Sequence, residues 1–289
     1  MLQIEPGREA TAPRDAATVV LLRSIGDAEG FEVFMVRRHA KSGFMGGAFV
    51  FPGGKLDAAD STESMRARLT GRSAEEAARA LGEPEDPTRA LGLFVAAFRE
   101  TFEEAGVLLS ARADQVALEA ARRRLQEGAS LAEEAEAIDL TLHLDLLVPW
   151  TRWVTPAVER RRYDTRFFLA TAPPDQRAVH DERETTDAAW MTPTQALARD
   201  RAGEIQLPPP TMRSLEMLSR FTRPEEALKE AASRLPPLVR PVFVDEDGTW
   251  ILALPGDAAH PEREAVIPGP TRFVMSDGRW WSGEPPEPA

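Results

Sequence analysis

Between Thr88 and Leu109 the chain reads TRALGLFVAAFRETFEEAGVLL, and this segment constrains the fold more than any other. Successive residues of an α-helix are turned by about 100°. On that wheel Leu91, Phe94, Val95, Phe98 and Phe102 occupy roughly a quarter of the circumference, and Glu100, Glu103 and Glu104 lie opposite. The apolar stripe requires a second layer to cover it. The acidic side is unusual in another way. Glu100 and Glu104 are four apart with Glu103 beside both, a spacing at which like charges repel. A solvated acidic face would carry lysines at neighbouring positions, and only Arg99 is near. Three uncompensated carboxylates suit a hard divalent cation, which takes oxygen ligands. The solvated face and the metal site both remain open on the helix alone. Gly106 is placed to end the helix in a left-handed conformation.

The segments around this helix alternate. Residues 1–16 are polar and read as a loose arm. Ala17–Ser24 and Phe31–His39 are apolar, β-branched runs separated by turn residues, a hairpin pattern. GAFVFPGG supplies a third strand that must stop at Pro52. Residues 61–87 change to alanine, arginine and glutamate, with a capping box at Ser73 and Glu76. Helices are expected near 114–127 and from Ser130, strands at WTRWVTP and Tyr163–Thr171, and a strand end followed by a helix from Thr192-Pro193. Two more helices follow LPPP and RPEE. Asp247-Gly248 and Asp277-Gly278 mark two hairpins in the tail. The expectation is an α/β (α+β) fold, a mixed β-sheet sandwiched between helices. It assigns 17–235 to the main domain and 236–289 to a small β-rich C-terminal extension.

Composition narrows the function. Lysine and arginine total 35 against 47 acids, a net charge of -12, which disfavours nucleic acid as a partner. Without cysteine, thiolate zinc sites and a cysteine nucleophile are excluded, and the four histidines are scattered. No apolar run is long enough for a membrane span. No secretory or lipidation signal is evident either, so a soluble cytoplasmic protein with no membrane partner is the expectation.

FVFPGGKLDAAD, Phe49–Asp60, and RETFEEAGV, Arg99–Val107, complete each other. Together they resemble the Nudix hydrolase box, G-x5-E-x7-R-E-U-x-E-E-x-G-U, with U apolar. Gly54 stands at the first glycine, Asp60 in place of the first glutamate, and Thr101 in place of an apolar residue. Between Asp60 and Arg99 lie 38 residues where the pattern has seven. An insertion of about 31 residues, within about 61–91, is tolerable if it loops out on the surface, because closure cost grows only logarithmically. A box split here resembles the coenzyme A diphosphatase subgroup, as do WVTP, RRRYDTRFFL, LPPPTMRSLEML and LPGD.

The resemblance implies a Nudix fold and a metal-dependent hydrolase with a small-molecule nucleotide diphosphate as substrate. Glu100, Glu103 and Glu104 match the ligands of Mg²⁺ or Mn²⁺, and Arg99 matches the arginine that orients them. Gly53 and Gly54 let their loop pack against the catalytic helix. For the general base the candidates are Glu182 and, foremost, Glu184, with a solvated loop as the plainer alternative. Arg37 and Arg38, or Arg160, Arg161 and Arg162, are candidate phosphate binders. Trp150 and Trp153 either stack a base or pack in the core. Coenzyme A or acyl-coenzyme A, cleaved to 3′,5′-ADP and (acyl-)4′-phosphopantetheine, leads the substrates. ADP-ribose, NADH, a dinucleoside polyphosphate, or a non-catalytic nucleotide sensor remain open. Nudix enzymes are often homodimers, and no interface pattern in this chain decides that state.

Overall fold

The computed structural model describes residues 11–26, 30–39, 46–109, 114–179 and 185–285. β1 (Arg14–Ser24) and β2 (Phe31–Arg38) form the expected hairpin, with Leu22 opposite Val33. β3 (Phe49–Val50) lies on β2, and the chain leaves it at Phe51-Pro52. It does not end there in a turn. β4 (Gly53–Lys55) resumes on a different neighbour, antiparallel to β1, with Gly53 opposite Thr18 and Gly54 opposite Ala17. A 3-10 turn at Ala58–Ser61 leads into α1 (Glu63–Arg66), β5 (Leu69–Thr70), α2 (Ala74–Leu81) and α3 (Pro87–Ala105). α4 (Gln115–Gln126), α5 (Leu131–Ala137) and β6 (Leu142–His143) follow. β7 (Val148–Val154), β8 (Tyr163–Thr171) and β9 (Thr185–Met191) return to the sheet.

The main sheet runs β7-β8-β1-β2-β3, with β4 also on β1 and β9 also on β2. It is mixed: β1 and β8 are parallel, with Val19 opposite Phe168, and the hairpin pairs are antiparallel. Both faces are covered, which is why β1 reads as a continuous apolar run. Val19 and Leu21 face the layer that holds α3, and Val20 and Leu22 face the other. Phe94, Phe98 and Phe102 are buried in the first layer, and Phe94 meets Phe168 with ring centroids 4.8 Å apart. Burying each such ring stabilises the fold by about 1.5–3 kcal/mol. Asp86 caps α3 by accepting from the Arg89 N–H, Pro87 occupies the first turn, and Gly106 at φ 69° ends it. The helix therefore stops at Ala105, where the placing of Gly106 ends it, and Val107–Leu109 lie beyond it.

The inserted residues do not loop out. Ala77, Ala78 and Leu81 make one apolar face of α2, and they are buried with Met65 in the core layer of α3. The segment is also pinned by charge. Glu83, 2% exposed, sits 2.6 Å from Arg166 of β8, 2.7 Å from Arg152 of β7 and 3.1 Å from Arg89 of α3.

On the opposite face lie α6 (Pro193–Arg201), α7 (Pro209–Leu218) and α8 (Pro224–Ala232). β10 (Leu238–Val239) adds to the main sheet, parallel to β7. β11 (Val242–Glu246), β12 (Thr249–Ala253), β13 (Arg272–Ser276) and β14 (Arg279–Ser282) make a four-stranded antiparallel sheet. Asp247 and Asp277 have the positive φ that their Asp-Gly hairpins require. Leu252, Phe273 and Trp280 share a core layer with α7, so this sheet packs on the domain. Among the described residues no helix is long and apolar enough to cross a membrane.

Candidate active site

The two halves of the split box meet at Arg99. Its Nε and Nη2 donate to the two Asp60 oxygens at 2.8 and 2.9 Å, a bidentate pair. Nη2 also donates to the Lys55 carbonyl at 2.9 Å. Nη1 donates to Glu100 at 2.8 Å and to Glu103 at 3.4 Å. One guanidinium thus ties the segment after β4 to two carboxylates of α3. Burial pulls the Arg99 pKa down, but the Asp60 bond and the charges of Glu100, Asp60 and Glu103 outweigh it and hold the pKa above its ordinary value. Asp60, whose role the sequence left open, is almost fully buried, and its second oxygen also accepts from the Asp57 N–H at 2.8 Å.

Glu104 makes the second tie. It is 5% exposed and accepts from the Gly53 N–H at 3.0 Å. The two glycines are required by close approach. A Cβ on Gly53 would overlap Thr18 and the Ala17 carbonyl, and one on Gly54 would overlap the Glu100 carboxylate. Thr101, the odd residue of the box, is buried and donates its hydroxyl to the Ala97 carbonyl at 2.7 Å, one turn back. From α4, Arg122 donates to the carbonyls of Glu103 and Glu104, completing the end of α3.

Glu100, Glu103 and Arg99 line a cavity of about 470 Å³, with Gly53, Gly54, Lys55, Asp57 and Arg38. Lys55 and Asp57, absent from the sequence expectation, pair at 2.9 Å, and that bond raises the Lys55 pKa. Position is the signal that could have found them, since both lie between Gly54 and Asp60. The paired candidates separate. Arg38 lines the cavity, whereas Arg37 is exposed and donates to the Gly47 carbonyl, because neighbours on a strand point to opposite faces. Trp153 lines the cavity, whereas Trp150 is a fully buried core residue beneath Arg234. Arg160 and Arg161 are exposed, and Arg162 donates to the Thr155 carbonyl; none of the three lines the cavity. Glu182 and Glu184 lie outside the described residues.

Among the described residues no three carboxylates or imidazoles converge on one point. Arg99 holds Glu100 and Glu103, and the Gly53 N–H holds Glu104. The donor set still fits a hard divalent cation. It is all carboxylate, Glu100 and Glu103 open on the cavity, and the missing Cβ of Gly54 leaves room for the Glu100 carboxylate itself.

The family model of the NUDT19 Nudix domain matches residues 13–218. The acyl-coenzyme A diphosphatase NUDT19 of Gallus gallus is 29% identical over 319 residues, covering 94% of this chain and 80% of that protein. The protein of the same name from Xenopus laevis is 28% identical over 278 residues, covering 80% and 72%. Among solved structures, a NUDIX hydrolase from Alicyclobacillus acidocaldarius is similar, with 31% identity and a TM-score of 0.64. That likeness covers 78% of this chain and 98% of the bacterial one.

Proposed function

The chain belongs to the NUDT19 Nudix domain family, and from that membership we propose that it hydrolyses the diphosphate bond of coenzyme A or its acyl esters. The products are 3′,5′-ADP and 4′-phosphopantetheine or its acyl derivative. The observation that carries this reading is the reassembled box. Arg99 and Asp60, 39 positions apart, form a buried bidentate pair that sets two glutamates at the cavity floor. The acyl-coenzyme A diphosphatase relatives support the choice of substrate.

In this reading Glu100, Glu103 and Glu104 are the residues that would hold Mg²⁺ or Mn²⁺. Such an ion polarises phosphoryl oxygens and lowers the pKa of water. Arg99 fixes the carboxylates' positions through Asp60 and the Lys55 carbonyl. Gly53 and Gly54 keep β4 close enough for both ties. Arg38 and Lys55 supply positive charge for the phosphates in a chain whose net charge is negative. Glu184 is the proposed general base. It immediately precedes Thr185, which pairs with Arg38 at the cavity edge.

The test is turnover with Mg²⁺ or Mn²⁺ on coenzyme A, acyl esters, ADP-ribose, NADH and dinucleoside polyphosphates. Glu103→Gln and Glu104→Gln are expected to lose at least about 10–100-fold in kcat/KM. Parental turnover by both variants would overturn the metal-site assignment. Turnover confined to substrates other than coenzyme A esters would overturn the substrate.

A further inference from the structure

We infer that the C-terminal sheet builds the part of the substrate site that receives the acyl-pantetheine arm, and that Leu252 and Pro241 set how long an acyl chain fits; this rests on the coenzyme A reading above. The cavity is divided by charge. Every charged side chain on its lining comes from β2, from Lys55 and Asp57, or from α3. The facing wall comes from β7, β8, the start of α7 and the C-terminal region, and none of its lining side chains is charged.

Trp153, Phe167, Pro209, Pro241 and Leu252 make the apolar part of that wall, beside the uncharged Thr155, Tyr163, Thr165 and Thr211. A helix N-terminus ordinarily offers N–H donors to an anion. α7 enters the cavity through Pro208, Pro209 and Pro210, which have no N–H to offer. Positive charge for the phosphates is therefore confined to the side of Arg38, Lys55 and Arg99, and the other wall offers only neutral hydroxyls, those of Thr155, Tyr163, Thr165 and Thr211. The apolar arm gains by leaving water on the other.

The wall is fixed to the domain. β10 extends the main sheet beside β7. Arg213 of α7, fully buried, donates to the carbonyls of Pro268 and Pro270 and lies 5.2 Å from the Phe273 ring centroid. Leu252 pairs with Phe243 and Phe273 in the middle of the small sheet. Pro241 and Leu252 both lie beyond residue 218, where the family match ends.

One experiment has two parts. First, kcat/KM is measured for free coenzyme A and for thioesters of increasing chain length, with the parent, Leu252→Ala and Leu252→Trp. One methylene in an apolar pocket changes kcat/KM by about tenfold or more. Leu252→Trp is expected to lower the long-chain to free-coenzyme A ratio by at least about tenfold, and Leu252→Ala to shift the optimum to longer chains. Second, the parent is photolysed with a thioester carrying a diazirine at the acyl terminus. Cross-links are expected in peptides spanning 238–254, a result that needs no variant to fold. Unchanged ratios, or cross-links confined to 37–57, would overturn the inference and leave the activity standing. No turnover of any coenzyme A substrate by the parent would overturn both.

Discussion

Alanine at Gly53 and alanine at Gly54 should fail in different ways, although the residues are adjacent. At Gly53 the new Cβ meets Thr18 Oγ1, the Ala17 carbonyl and Thr18 Cα, atoms held by the β1–β4 pairing. The strands must part, an overpacking cost of about 1–3 kcal/mol. In a domain this large each kcal/mol moves Tm by about 2–4 °C, so Gly53→Ala should melt roughly 2–12 °C lower. At Gly54 the Cβ meets only the three carboxylate atoms of Glu100, the far end of a flexible side chain that Arg99 holds from one side. That group can swing aside, so the loss of stability should stay below about 1 kcal/mol, partly offset by the reduced freedom of the unfolded chain. Function should suffer instead, because a proposed ligand has been displaced. A loss of about 10–100-fold is expected in Mn²⁺ affinity by calorimetry and in kcat/KM. Parental Mn²⁺ binding by Gly54→Ala, or a parental melt for Gly53→Ala, would refute the close-approach argument.

Asp60→Asn keeps the shape of the residue but removes its charge from Arg99. Breaking a buried pair costs about 3–5 kcal/mol, and Glu100 and Glu103 still partly neutralise Arg99. The lower end, about 3 kcal/mol, predicts a melt roughly 6–12 °C lower; a shift under about 1 °C would show that the pair does not hold the halves together. Asp164 gives the pH dependence. Burial raises its pKa, but the Arg152 bond and the charges of Arg166, Arg152 and Arg89 outweigh it, leaving the pKa below the ordinary 3.8. A depressed carboxylate stabilises the fold fully above its unfolded pKa and loses that stabilisation as pH falls through its folded pKa. The Tm gap between parent and Asp164→Asn should therefore be constant near about pH 5–7 and shrink below about pH 4. A gap that does not change on acidification would contradict the assignment.

What could be read in advance follows from how local each signal is. The capping box at Ser73, the helix starts at Ser130 and Thr192-Pro193 and the Asp-Gly hairpins are contained within a few residues, and all of them form as expected. The acidic and apolar sides of α3 were equally plain, since both follow from one periodicity. Partners distant in sequence were not. Beyond its place between Gly54 and Asp60, nothing in GKL announces that Lys55 belongs to the cavity, or that its carbonyl receives Arg99. The Arg37-Arg38 and Trp150-Trp153 pairs could not be split by type, because only the strand geometry decides which member faces the cavity. Pro241 and Leu252 carry no motif at all.

The insertion shows why a catalytic box can be divided. The contacts that assemble the site are Arg99 with Asp60 and Glu104 with Gly53, both made between elements seated on β1 or on the core beneath it. Neither depends on how many residues separate the halves. What the inserted chain must avoid is crossing the cavity or leaving its own apolar face exposed. α2 meets the second condition by packing Ala77, Ala78 and Leu81 into the core layer of α3. Glu83 fixes the chain to Arg166 and Arg152 of the main sheet just before α3 begins, and no residue of 61–91 lines the cavity. The same glutamate contacts Arg89 in the first turn of α3. The insertion is thus anchored to the helix that carries Glu100, Glu103 and Glu104, and it supports that helix without touching the cavity.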